Sequence, residues 1–270
     1  SFKARDGLEL HGYLTLPAGK EAKNLPLVMN PHGGPWARDG WGYNTEHQFL
    51  ASRGYAVLQV NFRGSTGFGM NHLQSSWKQW GQAMQDDITD AVKWAIDRGV
   101  ADPDRVCIYG GSYGGYATMA GLTFTPELYK CGINYVGVTD LALLFSTAPD
   151  SWNAGMRQMR EQVGDPDSER EFLDQWSPTN HADKIQAPVF MAYGRRDPRE
   201  RRALLPPGRH GRDGRRARCG LRCPRPRARP RARRRRRREP VPAHHAREYE
   251  PAGEDRKSTR LNSSHQIISY

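Results

Sequence analysis

The chain has 270 residues and a formal net charge of +12, a balance that by itself suggests a nucleic-acid partner. The average hides a break. Residues 1–194 carry 16 basic and 21 acidic residues (net −5), whereas residues 195–238 carry 21 arginines and 3 acidic residues (net +18). All 7 Trp and all 8 Phe precede residue 195, so only the first part can bury a sizeable core. We therefore expect one folded domain followed by a segment of a different kind.

The sequence contains no recognisable signal peptide and no apolar run long enough to cross a membrane, so no membrane association is expected. Because the chain begins at Ser1 without a methionine, a preceding region would be able to carry a targeting signal, and the compartment stays open. Cys107 and Cys131 lie in apolar, strand-like runs and are interpreted as buried small hydrophobic residues. Cys219 and Cys223 lack a second ligand pair for zinc. Nothing suggests a disulfide framework.

In chain order, short apolar segments alternate with helical patterns. The predicted strands are residues 8–16, 25–30, 55–62, 105–109, 131–138 and 188–193, and the predicted helices are residues 46–53, 85–98 and 113–122, with a partly helical stretch over 141–176. This alternation indicates βαβ units, and hence an α/β fold with a mostly parallel sheet and helices on both faces. Ligands of such sheets bind at the carboxyl ends of the strands, where Gly33, Ser112 and Asp197 fall.

Residues 110–114 (Gly-Gly-Ser-Tyr-Gly) fit the G-x-S-x-G pattern of a nucleophile elbow. The pattern requires a strand before the serine and a helix after it, and both are predicted here. Glycines are needed because side chains at these positions would collide with the neighbouring strand and helix. The helix N-terminus adds free N–H groups where an oxyanion would form. The alternative is a glycine-rich turn whose serine only caps the helix, and the strand–turn–helix context favours Ser112 as a nucleophile.

A serine nucleophile also needs a histidine and an acid that orients it, in the chain order Ser, Asp or Glu, His. Asp197 follows the last predicted strand and is the best candidate acid, although Asp-Pro is also a common surface turn. Residues 32–35 (His-Gly-Gly-Pro) resemble the histidine-glycine loop that supplies one oxyanion-hole N–H, and the N–H of Tyr113 would be the second donor. The alternative for this loop is an ordinary glycine-proline turn.

Several segments in the same order carry a resemblance to a known family. They are residues 30–35 (Asn-Pro-His-Gly-Gly-Pro), 61–69 (Asn-Phe-Arg-Gly-Ser-Thr-Gly-Phe-Gly), 86–87 (Asp-Asp), the elbow at 104–116, and 177–185 with 188–197. Together they resemble the catalytic domain of the prolyl oligopeptidase family of serine peptidases over about residues 1–199. The His-Gly-Gly-Pro form is most similar to the acylaminoacyl-peptidase and dipeptidyl-peptidase branches.

This resemblance implies an α/β-hydrolase fold, with Ser112 as the nucleophile, Asp197 as the triad acid, and Gly34 with Tyr113 at the oxyanion hole. It implies hydrolysis of short peptides through an acyl-enzyme, without a metal or an organic cofactor. Members usually carry an N-terminal β-propeller that limits substrates to short peptides. This chain contains none, so we expect a propeller in the intact protein. Because the triad chemistry is shared, an esterase or lipase on the same fold is the alternative enzyme.

The resemblance ends near residue 200. Residues 200–254 are mostly Arg, Pro, Ala and Gly, which have GC-rich codons, and we interpret them as a gene translated out of frame. Residues 255–270 resemble translated read-through of a sequencing-library adapter. The predicted organisation is therefore an incomplete domain over 1–199 and two artefactual segments. The rival interpretation takes residues 200–254 as a disordered basic arm that binds phosphate backbones of nucleic acids without sequence preference. A non-catalytic binding module is a further alternative.

No histidine is identifiable as the general base. His32 belongs to the histidine-glycine loop and precedes Ser112, so it is not expected to be the base. Four other histidines precede Asp197 and are expected to be surface or structural residues: His11, His47, His72 and His181. The family pattern places a glycine-flanked histidine after the acid, and the later histidines lack those surroundings: His210, His244, His245 and His265. We therefore expect the chain as written to be inactive. We also expect its incomplete sheet to leave apolar surface and a strand edge uncovered.

Overall fold

The computed structural model of the protein describes residues 1–194. Asp197, the four later histidines and the boundaries predicted near residues 199 and 254 lie outside the described residues, so the statements about them stay predictions.

The described residues form a seven-stranded mixed sheet in the order β1-β2-β4-β3-β5-β6-β7. The first two strands run antiparallel to their neighbours, and β3 to β7 are parallel. This confirms the mostly parallel sheet, whose inner strands are short and apolar because helices cover them. The strands are β1 Phe2–Lys3, β2 Glu9–Thr15, β3 Leu25–Met29, β4 Ala56–Asn61, β5 Ala101–Gly111, β6 Cys131–Tyr135 and β7 Val189–Ala192.

Helices connect the parallel strands. Two 3-10 helical stretches, Asp150–Trp152 and Pro178–Lys184, complete the connections. The helices are α1 Thr45–Ala51, α2 Met70–Gln74, α3 Ala83–Asp97, α4 Tyr113–Phe124, α5 Leu141–Ser146, α6 Asn153–Val163 and α7 Arg170–Gln175. In the described part, no helix is long and apolar enough to cross a membrane.

The direction of the crossovers places these helices on both faces of the sheet. The chain moves one way along the sheet from β3 through α1 to β4, and the other way from β4 through α3 to β5 and through α4 to β6. Because such crossovers are right-handed, α1 lies on one face and α3 and α4 lie on the other. The loops that follow β3, β4 and β5 consequently meet at one edge of the sheet.

The two long helices of that second face are buried in different ways. The buried side of α3 carries the apolar repeat from which this helix was predicted. Its residues Ile88, Ala91, Val92 and Ala95 have no exposed surface. By contrast, α4 is buried on all sides from Tyr113 to Thr123. The small residues of α4 let neighbouring segments approach it closely. A side chain at Gly121 would lie 2.8 Å from the Tyr129 ring, and one at Gly115 would lie 2.5 Å from Gly137 Cα.

Three short elements were not predicted, including the 3-10 helix Pro178–Lys184. The five-residue helix α2 lacks the repeated apolar positions that reveal a longer helix, and the two-residue strand β1 is too short to show an alternating pattern. The other predicted strands and helices are confirmed to within a few residues at their ends, apart from the strand predicted to start at residue 105, which starts at Ala101.

Aromatic side chains are exposed at the β6–β7 side of the sheet. Tyr135 exposes 42% of its surface and Phe190 exposes 60%. Within residues 1–194, β7 pairs with β6 alone. The chain that follows β7 lies outside the described residues.

The interpretation of Cys107 and Cys131 as free buried residues is wrong, because they form a disulfide bond. The two residues face each other in the β5–β6 register, with their Cα atoms 4.8 Å apart. That distance is within the range a disulfide requires. The bond closes a loop with a sequence separation of 24 residues, and this loop contains Ser112 and the whole of α4.

We predict that breaking this bond destabilises the domain by about 3 kcal/mol, because the closed loop restricts the unfolded chain. A reductant is expected to lower the urea midpoint of the wild type, and the double variant Cys107→Ala/Cys131→Ala is expected to be insensitive to it. Peptide mapping without reduction checks the link directly. A wild-type midpoint unchanged by reductant, with no linked peptide, contradicts the prediction.

Candidate active site

Ser112 occupies the turn between β5 and α4 with a backbone conformation that is rare for a residue with a side chain. Its φ is 56° and its ψ is −119°. Such strain costs about 1–3 kcal/mol and persists only where neighbouring contacts enforce it. Here the Ser112 N–H donates to the Tyr135 carbonyl at 3.0 Å, and its carbonyl accepts from the Tyr116 N–H at 3.0 Å. The Ser112 hydroxyl makes no hydrogen bond to any described residue and is accessible to solvent.

The glycines around Ser112 leave room for contacts that no side chain would allow. A side chain at Gly110 would collide with the backbone of Gly114, and one at Gly114 would collide with the Pro31 carbonyl oxygen. The predicted reason for the glycines is therefore correct, and the structure adds a further partner: the loop after β3 packs directly on the elbow.

That loop, residues 31–39, is held at both ends. A methyl group at Gly33 would lie 3.6 Å from Ser112 Cβ and 3.2 Å from the Gly111 carbonyl oxygen. At its far end, the Asp39 N–H donates to Asn61 Oδ1 at 2.8 Å and Asn61 Nδ2 donates to the Asp39 carbonyl at 3.2 Å. This reciprocal pair attaches the loop to the carboxyl end of β4.

The two predicted donors of the oxyanion hole have no acceptor within the described part of the chain. The N–H of Gly34 and the N–H of Tyr113 donate to no described group. Gly34 has a φ of 123°, which favours glycine, and a side chain there would lie 2.8 Å from the Trp36 nitrogen. The structure thus brings Ser112, Tyr113 and the Gly34 loop together, whereas Asp197 lies outside the described residues.

Four of the histidines that precede Asp197 have partners other than Ser112. His47 Nε2 lies 2.8 Å from Asn30 Oδ1, His72 Nε2 lies 3.2 Å from the Phe62 carbonyl, and His181 Nε2 lies 2.7 Å from the Gln175 carbonyl. His11 stacks on Phe68. Burial lowers the pKa of both His47 and His72. Within the described residues, none of these four histidines makes a hydrogen bond to Ser112.

A buried ion pair supports the site, and sequence reasoning assigned no role to its members. Arg63 donates from its backbone N–H, Nε and Nη2 to the carboxylate of Asp87, at 2.8, 2.9 and 2.7 Å. Asp6 accepts from the same guanidinium at 2.8 Å. Burial alone would lower the pKa of Arg63, but the hydrogen bonds and charges of the two carboxylates outweigh it and raise that pKa. The ion pair therefore holds Arg63 in place just after β4, next to Phe62.

Nothing in the described residues forms a metal centre: no group of three or more His, Cys, Asp or Glu side chains is placed to hold an ion. A cavity of about 380 Å³ is present beside α5, α6 and α7, and it contains none of the residues of the elbow. Its lining includes Asp140, Phe145, Arg160 and Arg170.

Comparisons with known proteins match most of this chain. The profile described as Prolyl oligopeptidase family matches residues 41–201. Dipeptidyl aminopeptidase BIII of Pseudoxanthomonas mexicana is 47% identical over 209 residues, which cover 74% of this chain and 30% of the relative. The acylamino-acid-releasing enzyme of Homo sapiens is 30% identical over 198 residues, covering 72% of this chain and 27% of the relative. The chain thus spans about 30% of the curated relatives it matches.

Solved structures give the same result for the fold. An acylaminoacyl peptidase in complex with Z-Gly-Gly-Phe-chloromethyl ketone is 31% identical, with a TM-score of 0.64 over 70% of this chain and 30% of that one. A puromycin-hydrolysing peptidase of Mycobacterium tuberculosis is also 31% identical, with a TM-score of 0.65 over 70% of this chain and 29% of that one. The α/β-hydrolase fold that the resemblance implied is confirmed.

We predict that Gly114→Ala destabilises the domain by about 1–3 kcal/mol, because the new methyl group meets the Pro31 carbonyl oxygen. The matched control is Gly155→Ala in α6, where the added methyl group meets nothing within 4 Å. At that position we expect the domain to be stabilised by about 0.4–1 kcal/mol, because alanine gives the unfolded chain fewer conformations than glycine does. Equal effects on the urea midpoint contradict the close packing of loop and elbow.

We predict that Asp87→Asn costs about 3–5 kcal/mol, because it leaves the buried Arg63 guanidinium without its main counter-charge. Asp102→Asn breaks the more exposed pair with Arg105 and is expected to cost about 0–1 kcal/mol. Chemical denaturation of both variants measures the difference. Similar losses would show that the Arg63 pair has no special structural role.

Proposed function

The chain belongs to the prolyl oligopeptidase family, and we propose that residues 1–199 are most of the catalytic domain of a serine peptidase that cleaves short peptides. The observation that carries this proposal is the strained Ser112 at a strand–helix turn, next to N–H groups of Gly34 and Tyr113 that have no acceptor in the described part. Backbone strain at a serine with an accessible hydroxyl is typical of a nucleophile elbow, and a simple helix cap does not require it.

The proposed reaction is an acyl transfer in two steps. Ser112 Oγ attacks the carbonyl carbon of the scissile amide, and the oxyanion accepts hydrogen bonds from the N–H groups of Gly34 and Tyr113. The tetrahedral intermediate releases the amine and leaves an ester on Ser112, and water then hydrolyses the ester by the same route. A histidine oriented by Asp197 takes the Ser112 proton and gives it to the leaving amine.

The substrate is proposed from the relatives. Proteins named dipeptidyl aminopeptidase and acylamino-acid-releasing enzyme match this chain, which supports short peptides as its substrates. The β-propeller expected in the intact protein would limit substrate size, and the proposed reaction uses no metal or organic cofactor. These statements are proposed for a whole protein of the length of those relatives.

We propose that residues 200–254 result from a frame shift and residues 255–270 from adapter read-through, so that the catalytic histidine is missing. The chain as written then lacks a general base. Loss of a triad histidine reduces turnover by roughly a millionfold in a well-studied serine protease. A non-catalytic basic arm is the competing explanation, and resequencing the gene separates the two.

We predict that a fluorophosphonate probe labels a version with the reading frame restored after residue 199, at Ser112, and labels the chain as written far more slowly. Ser112→Ala abolishes labelling in the restored version. Ser52→Ala is the control, because Ser52 is an exposed serine at the end of α1 whose hydroxyl donates to the Phe49 carbonyl.

Two other outcomes would change the proposal. If neither version is labelled although both are folded, the elbow is structural and the peptidase proposal fails. If the restored protein hydrolyses a p-nitrophenyl ester but not a dipeptide-linked amide, the enzyme is an esterase on the same fold.

A further inference from the structure

His32 uses both of its ring nitrogens and one ring face within a few ångströms of the proposed oxyanion hole. Its Nδ1 lies 2.8 Å from the carbonyl oxygen of Gly33, and its Nε2 lies 2.9 Å from Ser65 Oγ. The ring stacks on Phe62 with centroids 4.3 Å apart and planes 16° apart. His32 is therefore fixed at three points.

The hydrogen-bond pattern determines which nitrogen carries the proton. Burial lowers the pKa of His32 to about 4, so at neutral pH the ring is uncharged and has one N–H. If Nε2 carried that proton, the lone pair of Nδ1 would face the Gly33 carbonyl oxygen at 2.8 Å, which is repulsive. If Nδ1 carries it, Nδ1–H donates to Gly33 and Nε2 accepts from the Ser65 hydroxyl.

The second arrangement has little cost at Ser65. Its hydroxyl lies 2.7 Å from the Phe62 carbonyl oxygen as well and gives up that bond when it turns to His32. The Phe62 carbonyl still accepts from the Ser65 backbone N–H at 3.0 Å and lies 3.2 Å from His72 Nε2. No buried acceptor is left without a donor, so the Nδ1–H form of His32 is assigned.

We propose that His32 is a positioning residue: by holding the Gly33 carbonyl, it turns the Gly34 N–H towards the oxyanion formed on Ser112, an inference that rests on the proposed function. Gly33 C=O and Gly34 N–H belong to one planar trans peptide group, in which the two bonds point in opposite directions. A hydrogen bond that fixes the carbonyl therefore also fixes the direction of the N–H.

The same aromatic contacts connect the two proposed donors. Phe62 packs between His32 and Tyr113, with ring centroids 4.3 and 5.3 Å away. Trp80 then packs edge-on against Tyr113 at 4.6 Å. A packed column of rings thus joins Tyr113 to the histidine beside Gly33, which is the kind of rigid support that a preorganised oxyanion hole needs.

The test uses the two amide substitutions that imitate one ring nitrogen each. In His32→Asn the side-chain amide nitrogen lies near the position of Nδ1, whereas the longer side chain of His32→Gln reaches towards the position of Nε2. We expect the rate constant for inactivation of Ser112 by a fluorophosphonate to stay within about threefold in His32→Asn and to fall about 100-fold in His32→Gln, with unchanged probe affinity. Without a triad member, serine hydrolases keep residual reactivity from the oxyanion hole, so the 270-residue chain is usable.

A structural role alone gives a different result. If His32 only fills space beside Phe62, the two variants should change reactivity and melting temperature together, and His32→Asn, the smaller side chain, should be the worse of the two. Equal inactivation rates in the two variants would overturn the proposal. Ser65→Ala should give an intermediate rate, because His32 then loses the donor that keeps Nε2 unprotonated.

A second measurement does not depend on the reaction. Nitrogen-15 NMR of the imidazole at neutral pH should show the Nδ1–H tautomer for His32. Both variants lose the ring current of the imidazole, so the Gly34 amide resonance should shift in both, and it should shift further in His32→Gln than in His32→Asn. An Nε2–H tautomer overturns the positioning role. If the wild type reacts no faster than Ser112→Ala, the peptidase proposal fails, and the tautomer and the Gly34 resonance then decide the positioning claim by themselves.

Discussion

The positive φ of Ser112 is the constraint on which the rest of the structure depends. An L-residue in that conformation needs external enforcement. The surroundings of Ser112 supply it through hydrogen bonds to Tyr135 and Tyr116 on either side, and through a helix that is buried on every face. The glycines of the turn follow from the same constraint, since β5, α4 and the loop after β3 must approach one another to within backbone contact. Cys107–Cys131 closes the loop that contains Ser112 and the whole of α4.

The ion pair and the aromatic column have a common effect, which is to fix the segment after β4. A buried pair such as Arg63–Asp87 contributes little net stability, because desolvation of both charges opposes their attraction. Its geometry matters more: the Asp87 carboxylate also accepts the backbone N–H of Arg63, next to the ring on which His32 stacks. Position, rather than stability, is therefore the main consequence of burying these charges.

Sequence patterns were sufficient for the longer helices and strands and for the elbow, and insufficient for the contacts between distant parts of the chain. The apolar repeat of α3 and the strand–glycine–helix order around Ser112 are local, so they can be read from neighbouring residues. The pairing of Cys107 with Cys131 depends on the register of two strands separated by a whole helix, and the partner of Arg63 lies 24 residues away. The tautomer of His32 depends on Ser65 and Phe62 together. Such facts arise only when the chain is packed.

The backbone conformation of Ser112 also depends on β7, the last described strand. The Tyr135 carbonyl, which accepts the Ser112 N–H, stands at the end of β6. That end is held by β7, because Tyr135 pairs with Ala192 and the Val136 N–H donates to the Ala192 carbonyl at 2.9 Å. Asp197 follows five residues later in the sequence. The segment that leads to the proposed triad acid is thus the same one that holds the turn of the nucleophile, and a change of sequence after residue 199 that weakened β7 would disturb Ser112 as well as remove its base.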